Sequence, residues 1–346
     1  MYDGFEVDML NVGDADCLLL TWWNGFSNVR ILIDGGNAGD ATAILSFLQR
    51  RGVTRLDAIV GTHMHDDHAA GLTRIVEAGT LQIDHAYVHV PQNHLAMKLV
   101  EKALGIAAGT TGANCVEKTL QTSTRLIAAI RAKNILITEP FQGTSIGPLT
   151  IVGPSMDYYR ELVAQFEDAE SIRSLDKGAL HHLIADAIED EFVKTGILAE
   201  GCLLDDPTTT PENNSSVIAG TIARDSKYLF TSDAGAPALK LAAAAYDLTH
   251  CFWMQIPHHG SRHNITKELI ENFSPNFAYV SAARSKKHPR RTVVNAFKKI
   301  GTKVYSTHYP SPSHLWNHVG NVPSRDDYGP VASLYEADEV ARRMAG

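Results

Sequence analysis

Three histidines and two aspartates fall within six positions, His63-Met64-His65-Asp66-Asp67-His68. A short apolar run over residues 56–60 precedes them and a helical pattern over 69–78 follows. Imidazole and carboxylate are the ligand types that suit zinc and its neighbours. Side chains this close in sequence cannot converge from a regular strand, where neighbours alternate faces, so the cluster reads as a loop held by a buried strand. The bland alternative is a solvated polar loop. Against it stand similar residues that recur at later strand ends. Asp66, between the other donors, reads as solvent-facing.

Asp233 follows the apolar run 228–231, where it is either a turn residue or a carboxylate shared by two ions. His258 and His259 follow 252–256. Adjacent histidines on a strand face opposite sides, so one reads as a ligand and the other as facing substrate; His258 is assigned the first role and His259 the second. Asp34 ends the strand 29–33 just before Gly35-Gly36, either as a plain turn or as a carboxylate that orients a ligand histidine through its second ring nitrogen. His288 lies in the basic run 284–291 with Lys286, Lys287, Arg290 and Arg291. It is either a donor to the substrate or a solvated loop residue.

Around these residues strands and helices alternate. Strands are expected at 5–10, 17–22, 29–33, 56–60, 87–90, 135–138, 149–152, 217–223, 228–231, 252–256, 277–280 and 303–305, with helices at 41–51, 69–78, 94–133 (broken by glycines at 105–112) and 156–200. The expected architecture is α/β, two sheets with helices outside, in one domain over 1–346. Residues 155–212 read as a helical insertion and loop. No internal repeat is evident. A net charge of −8 gives no basic excess of the kind that grips nucleic acid by its phosphates. Cys17, Cys115, Cys202 and Cys251 form no C-x-x-C pair and sit among apolar neighbours, as buried thiols in a reducing compartment do. No apolar run reaches the roughly 20 residues of a membrane span. The N-terminus carries no signal sequence, so a soluble cytoplasmic protein is expected.

The pattern His63-x-His65-x-Asp67-His68 resembles the signature of the metallo-β-lactamase superfamily, and Ile31-Leu32-Ile33-Asp34-Gly35-Gly36 its first motif. More narrowly, the chain resembles the hydrolase domain of ComEC-type competence proteins and the phosphorylcholine esterases of that branch. Asn11-Val12-Gly13-Asp14-Ala15-Asp16, Asn213-Asn214-Ser215-Ser216, Leu229-Phe230-Thr231-Ser232-Asp233, Pro257-His258-His259-Gly260-Ser261 and His288-Pro289 follow that branch in order, with Ser232 where glycine is usual. The membrane segments of the competence proteins have no counterpart here. Neither does the third histidine that many members give to the first ion: His181 and His182 match it poorly, and Asn213-Asn214 occupies the region.

The resemblance implies a four-layer αββα sandwich and two divalent ions, zinc first and manganese second. His63 and His65 would hold one ion, Asp67, His68 and His258 the other, and Asp233 both; Asp34 and Asn214 would stand behind them. Asp67, Asp233, His259 and His288 would serve the reaction. Two divalent ions less two carboxylates leave two positive charges for a hydroxide and an anionic substrate, either a small molecule or a nucleic acid. That favours phosphodiester hydrolysis. Hydrolysis of a carboxylic ester, lactone or thioester is the alternative. A metal-binding module without hydrolytic activity is a third reading, for which a flavin partner or a redox iron site is wanting; a degenerate scaffold is a fourth, disfavoured by the filled ligand positions. Oligomeric state is open.

Overall fold

The computed structural model describes residues 2–25, 27–94, 113–166, 203–282, 288–308, 312–328 and 332–334. Apolar residues on both faces of the strands require cover on both sides, and the chain supplies it in four layers. One sheet has the strand order β16 (Leu315–Gly320), β1 (Gly4–Met9), β2 (Leu18–Trp23), β3 (Asn28–Ile33), β5 (Ala58–Gly61), β7 (His85–Val88), β8 (Leu136–Thr138), and the other β15 (Lys303–Ser306), β14 (Phe277–Val280), β13 (Trp253–Gln255), β12 (Ser226–Phe230), β11 (Ile218–Ala223), β10 (Leu149–Gly153), β9 (Ser145–Ile146), while β4 (Arg55–Leu56) and β6 (Gln82–Ile83) pair apart from both. Their facing surfaces share one core, with Phe5, Trp22 and Ile31 from the first and Tyr228, Phe230 and Trp253 from the second. Burial of each such side chain is worth about 1.5–3 kcal/mol. Outside the first sheet lie α1 (Ala41–Arg50), α2 (Asp66–Ala78) and α3 (Ala113–Ala132). Outside the second lie α6 (Ala236–Ala245), α7 (Lys267–Phe273) and α8 (Arg291–Lys299). Two short helices, α4 (Met156–Val163) and α5 (Pro211–Asn214), lie between β10 and β11 in sequence. The fold is the expected four-layer αββα sandwich.

Each sheet is half antiparallel and half parallel. β1 (Gly4–Met9), β2 (Leu18–Trp23) and β3 (Asn28–Ile33) pair antiparallel, and β5 (Ala58–Gly61), β7 (His85–Val88) and β8 (Leu136–Thr138) continue in parallel from β3. In the second sheet β9 (Ser145–Ile146), β10 (Leu149–Gly153), β11 (Ile218–Ala223) and β12 (Ser226–Phe230) pair antiparallel. From β12, β13 (Trp253–Gln255), β14 (Phe277–Val280) and β15 (Lys303–Ser306) run parallel. The two sheets thus repeat one pairing plan that sequence similarity within the chain does not reveal.

β16 (Leu315–Gly320), not among the strands expected above, pairs antiparallel with β1 along its whole length. The outer face of β1 carries two buried carboxylates. Glu6 accepts from Trp316 Nε1 at 2.8 Å and pairs with Arg51 at 2.9 Å, while Arg325 Nη1 lies 2.6 Å from Asp8 Oδ1. Helix α3 holds most of the second half of the helical reading 94–133, whose break at 105–112 lies outside the described residues. So does most of the helical reading 156–200, with His181 and His182, and so do Lys286 and Lys287. Cys17 and Cys251 are buried and free. Among the described residues no helix is long and apolar enough to cross a membrane.

Helix α2 sits unusually close to the end of β3. Gly35 N–H donates to the His68 carbonyl at 2.9 Å and Gly71 N–H to that of Gly36 at 3.0 Å. A Cβ on Gly71 would lie 1.8 Å from the Gly35 carbonyl oxygen, so only glycine permits this approach. Gly71→Ala is therefore expected to destabilise the protein by about 1–3 kcal/mol in denaturant unfolding, although alanine is otherwise favoured over glycine by about 1 kcal/mol inside a helix. Unchanged or raised stability would show that the helix does not rest on this contact.

Candidate metal centre

Asp34, His63, Asp233 and His258 each lie just beyond the C-terminal end of a strand: β3, β5, β12 and β13. These are the strands at which each sheet passes from antiparallel to parallel pairing. Connections that leave neighbouring strand ends in different directions open a crevice there. The functional side chains therefore come from four strand ends in two sheets.

Local chemistry sets their aim. His65 is extended and serves as the residue before α2, so Asp66, Asp67 and His68 occupy the first helical turn rather than the loop expected from sequence. That turn carries the positive end of the helix dipole, which favours the two aspartates. Asp66 is not simply solvated, since it accepts a hydrogen bond from Thr122 Oγ1 at 2.7 Å. Past β13, His258 and His259 both take left-handed backbone angles, φ 48° and 53°. This double turn breaks the strand alternation and lets both rings face one crevice, with centroids 5.7 Å apart.

Three imidazoles have Nδ1 tied to an oxygen acceptor, which leaves Nε2 bare. His68 Nδ1 lies 2.8 Å from Asp34 Oδ2, His259 Nδ1 lies 3.0 Å from the Ser281 carbonyl, and His258 Nδ1 lies 2.8 Å from Asn264 Oδ1. Asn264 is itself oriented by donation of its amide to the Asp233 carbonyl. His63 Nδ1 approaches the Thr62 hydroxyl at 3.3 Å. The Nε2 atoms then surround Asp233. Its Oδ2 lies 3.8 Å from His63, 3.5 Å from His68 and 3.6 Å from His258, and its Oδ1 4.0 Å from His259. Asp67 Oδ2 lies 3.7 Å from both His68 and His259 Nε2.

Three donor groups result: Asp67-His68-Asp233-His259 and His63-His65-Asp233, joined at Asp233, and behind them Asp16-Asp34-His68, in which Asp34 already holds His68 Nδ1. His68 Nε2, His259 Nε2 and Asp233 Oδ1 are buried without a hydrogen-bond partner. Buried polar atoms are rarely left so, and lone pairs aimed at one another across 3.5–4.0 Å call for cations between them. The donor set fits two divalent ions.

The charges point the same way. Burial alone would lower the His68 pKa, but Asp233, Asp67 and Asp34 outweigh it and raise it well above the usual value. His259 is raised to about 9 in the same contest, with Asp233 and Asp67 prevailing over burial. Burial would raise Asp233, yet His258, His68 and His259 hold it well below the carboxylate range. Asp67 is lowered against burial by His68 and by the nearby His259 ring. Burial, with His68 and His65 adding to it, keeps His63 well below 6.5, the unshifted value. Without ions, the neighbouring carboxylates favour the protonated rings of His68 and His259.

Of the residues expected from sequence, His63, His65, Asp67, His68 and Asp233 come together, with Asp34 behind His68. Two assignments change. His259, not His258, completes the group with Asp67 and His68, because the double left-handed turn carries the second ring inward. His258 instead stands at the open side, its side chain 26% exposed against 3% for His259. Asn213, not Asn214, reaches the centre, its amide nitrogen 3.3 Å from His258 Nδ1; Asn214 packs on the turn at Gly235. His288 is buried rather than solvated, its ring centroid 5.8 Å from that of His258.

Three supports were not singled out from sequence: Thr62, Asp16 and Gln255. Gln255 Nε2 donates to Asp16 Oδ2 at 2.8 Å, and its Oε1 accepts from the backbone of Thr231 and Ser232. It thereby ties the turn before Asp233 to the first sheet. Burial raises Asp16 to about 6, opposed by His259 and His68. The available signal was an amide between Met254 and Ile256, in a strand otherwise apolar, since a polar group in such a setting needs a partner.

Residues 13–107 match the family described as Metallo-beta-lactamase superfamily. No curated protein matches the chain. Among solved structures, the metallo-beta-lactamase fold protein YhfI from Bacillus subtilis is similar at 10% identity and a TM-score of 0.45, covering 92% of this chain and 100% of that one. A diphosphatase from the PhnP family gives 10% and 0.43, with 93% and 100% covered. AidC, a dizinc quorum-quenching lactonase, gives 10% and 0.33, with 90% and 81% covered. The family match takes in Asp34 and all of His63, His65, Asp67 and His68, so it covers the first sheet's share of the centre.

Proposed function

We propose that the chain is a dinuclear metal-dependent hydrolase that prefers phosphodiesters. The observation that carries this reading is the pair of donor groups sharing Asp233, with bare Nε2 atoms turned inward. Two divalent ions held there would lower the pKa of a shared water and stabilise charge on a phosphoryl oxygen. Asp67 and Asp233 cancel two of the four positive charges. Asp34 and Asp16 lie on the Nδ1 side of the His68 ring, behind it, so the field at the open face is set by the nearer ions. A phosphodiester brings one negative charge into that field and gains another in the transition state. A lactone gains only the developing oxyanion. His258 and His288 line the entrance in this reading, with His288 as proton donor to the leaving oxygen.

The substrate class is tested with bis-p-nitrophenyl phosphate, nitrocefin and a lactone on metal-loaded protein. The expected outcome is a kcat/KM at least about tenfold higher for the phosphodiester, a gap of roughly 1.4 kcal/mol in transition-state binding, with competitive inhibition by inorganic phosphate. A lactone or thioester turned over tenfold better, without phosphate competition, would replace the assignment by the carboxyl-ester one. Asp233→Asn leaves the size of the residue intact and removes the shared charge. Metal affinity, measured against a chromogenic chelator, should fall by more than about 100-fold, and turnover with it. Near-normal metal content would mean that Asp233 is only a turn residue.

The raised pKa values give a pH dependence with a definite sign. A histidine raised in the folded state stabilises the metal-free fold fully below about 6.5, and that contribution is lost as pH rises through about 9 for His259. Divalent ions need the neutral rings, so their binding displaces these protons. Thermal stability of the metal-free protein should therefore decline from pH 6.5 to 9 while metal affinity rises. Affinity flat across that interval would show that the two rings do not take part.

A further inference from the structure

Ser232 sits where the chain can least easily use a serine. Its φ is 47°, in the left-handed region that glycine enters freely and an L side chain does not. It is also 2% exposed, so its hydroxyl must be satisfied by the protein. The partner is the Thr62 hydroxyl at 2.7 Å. Thr62 Oγ1 lies 2.6 Å from Asp34 Oδ2, and a carboxylate only accepts, so Thr62 donates to Asp34. Thr62 has no second proton, and Ser232 must then donate to Thr62. The remaining lone pair of Thr62 faces His63 Nδ1 at 3.3 Å, while Asp34 Oδ2 also accepts from His68 Nδ1 at 2.8 Å.

Every proton in this chain of bonds has a fixed direction, and it ends on two histidines, one from each donor group that shares Asp233. Through its backbone Ser232 also accepts from His258 N–H at 3.0 Å and donates to Gln255 Oε1 at 3.1 Å. One residue thus connects the turn that carries Asp233 with the ring orientation of His63 and His68 across the two sheets. We infer that Ser232 is a positioning residue, whose hydroxyl fixes the spacing between Asp233 and the histidines of both ion sites at the expense of its own backbone strain.

The inference rests on the reading of the site as a metal centre, and its test separates the two. Ser232→Gly removes the hydroxyl and relieves the strain; Ser232→Ala removes the hydroxyl and keeps the strain. Zinc affinity, by chelator competition, should fall about tenfold in both variants. The melting temperature of metal-free S232G should be no lower than wild type, whereas that of S232A should fall. A general packing role would lower affinity and stability together in both variants, and that result would overturn the inference. So would S232G that holds zinc as tightly as a wild type that binds it. Wild-type protein that holds no divalent ion would instead overturn the metal-centre reading, and this inference with it.

Discussion

The Asp233 carboxylate is an anion with 1% exposure, and its surroundings are arranged around that fact. Removing a carboxylate from water is tolerable only with compensating charge or hydrogen bonds. Here the compensation comes from imidazole nitrogens of four histidines, drawn from two strand ends and the start of a helix. Each ring is in turn oriented by an oxygen behind it, from Asp34, Thr62, Asn264 or Ser281. The close packing of α2 on the Asp34 turn serves the same end, because a shift of that helix would carry His68 away from Asp233. The two sheets are thus joined by apolar burial along their faces and by buried charge at one end.

The centre is also a place where local preference is overridden. Asp34, Ser232, His258 and His259 all hold positive φ without being glycine. Residues persist in that region only where surrounding contacts determine them, and such residues gather at functional sites. The strain lies at the turns that leave β3, β12 and β13, which places it in the segments that aim side chains. The strands behind them are regular.

Much of this was legible in the sequence. Apolar runs located most strands to within a residue or two, because most strands bury at least one face and are bounded by polar turns. The cluster from His63 to His68 announced itself by residue type and spacing. What escaped was what depends on partners distant in the chain. β16 begins with Leu315 and continues Trp316-Asn317-His318, a mixed pattern whose strand character comes from pairing with β1. Helices α6, α7 and α8 cover the second sheet but were passed over beside the strand signals. The exchange of roles between His258 and His259 follows from two backbone angles that no propensity encodes. Thr62 and Gln255 look ordinary until a neighbouring strand supplies Asp34 and the opposite sheet Ser232 and Asp16.

The pairing of β1 with β16 has a consequence for biosynthesis. A ribosome delivers Phe5, Val7 and Met9 early, and the strand that covers their edge only after nearly all the other strands have emerged. Throughout translation β1 has an open edge of the kind that recruits other chains. Glu6 and Asp8 lie along that same strand; Arg51 is made early enough to pair with Glu6, but Arg325, the cation that reaches Asp8, arrives later still. Until it does, Asp8 stands unneutralised beside Glu6, and the two carboxylates guard the edge against intermolecular pairing, as charged gatekeepers do. Once Arg325 docks, the same charges become part of the closed structure, so one pair of residues protects the nascent chain and then seals the finished one.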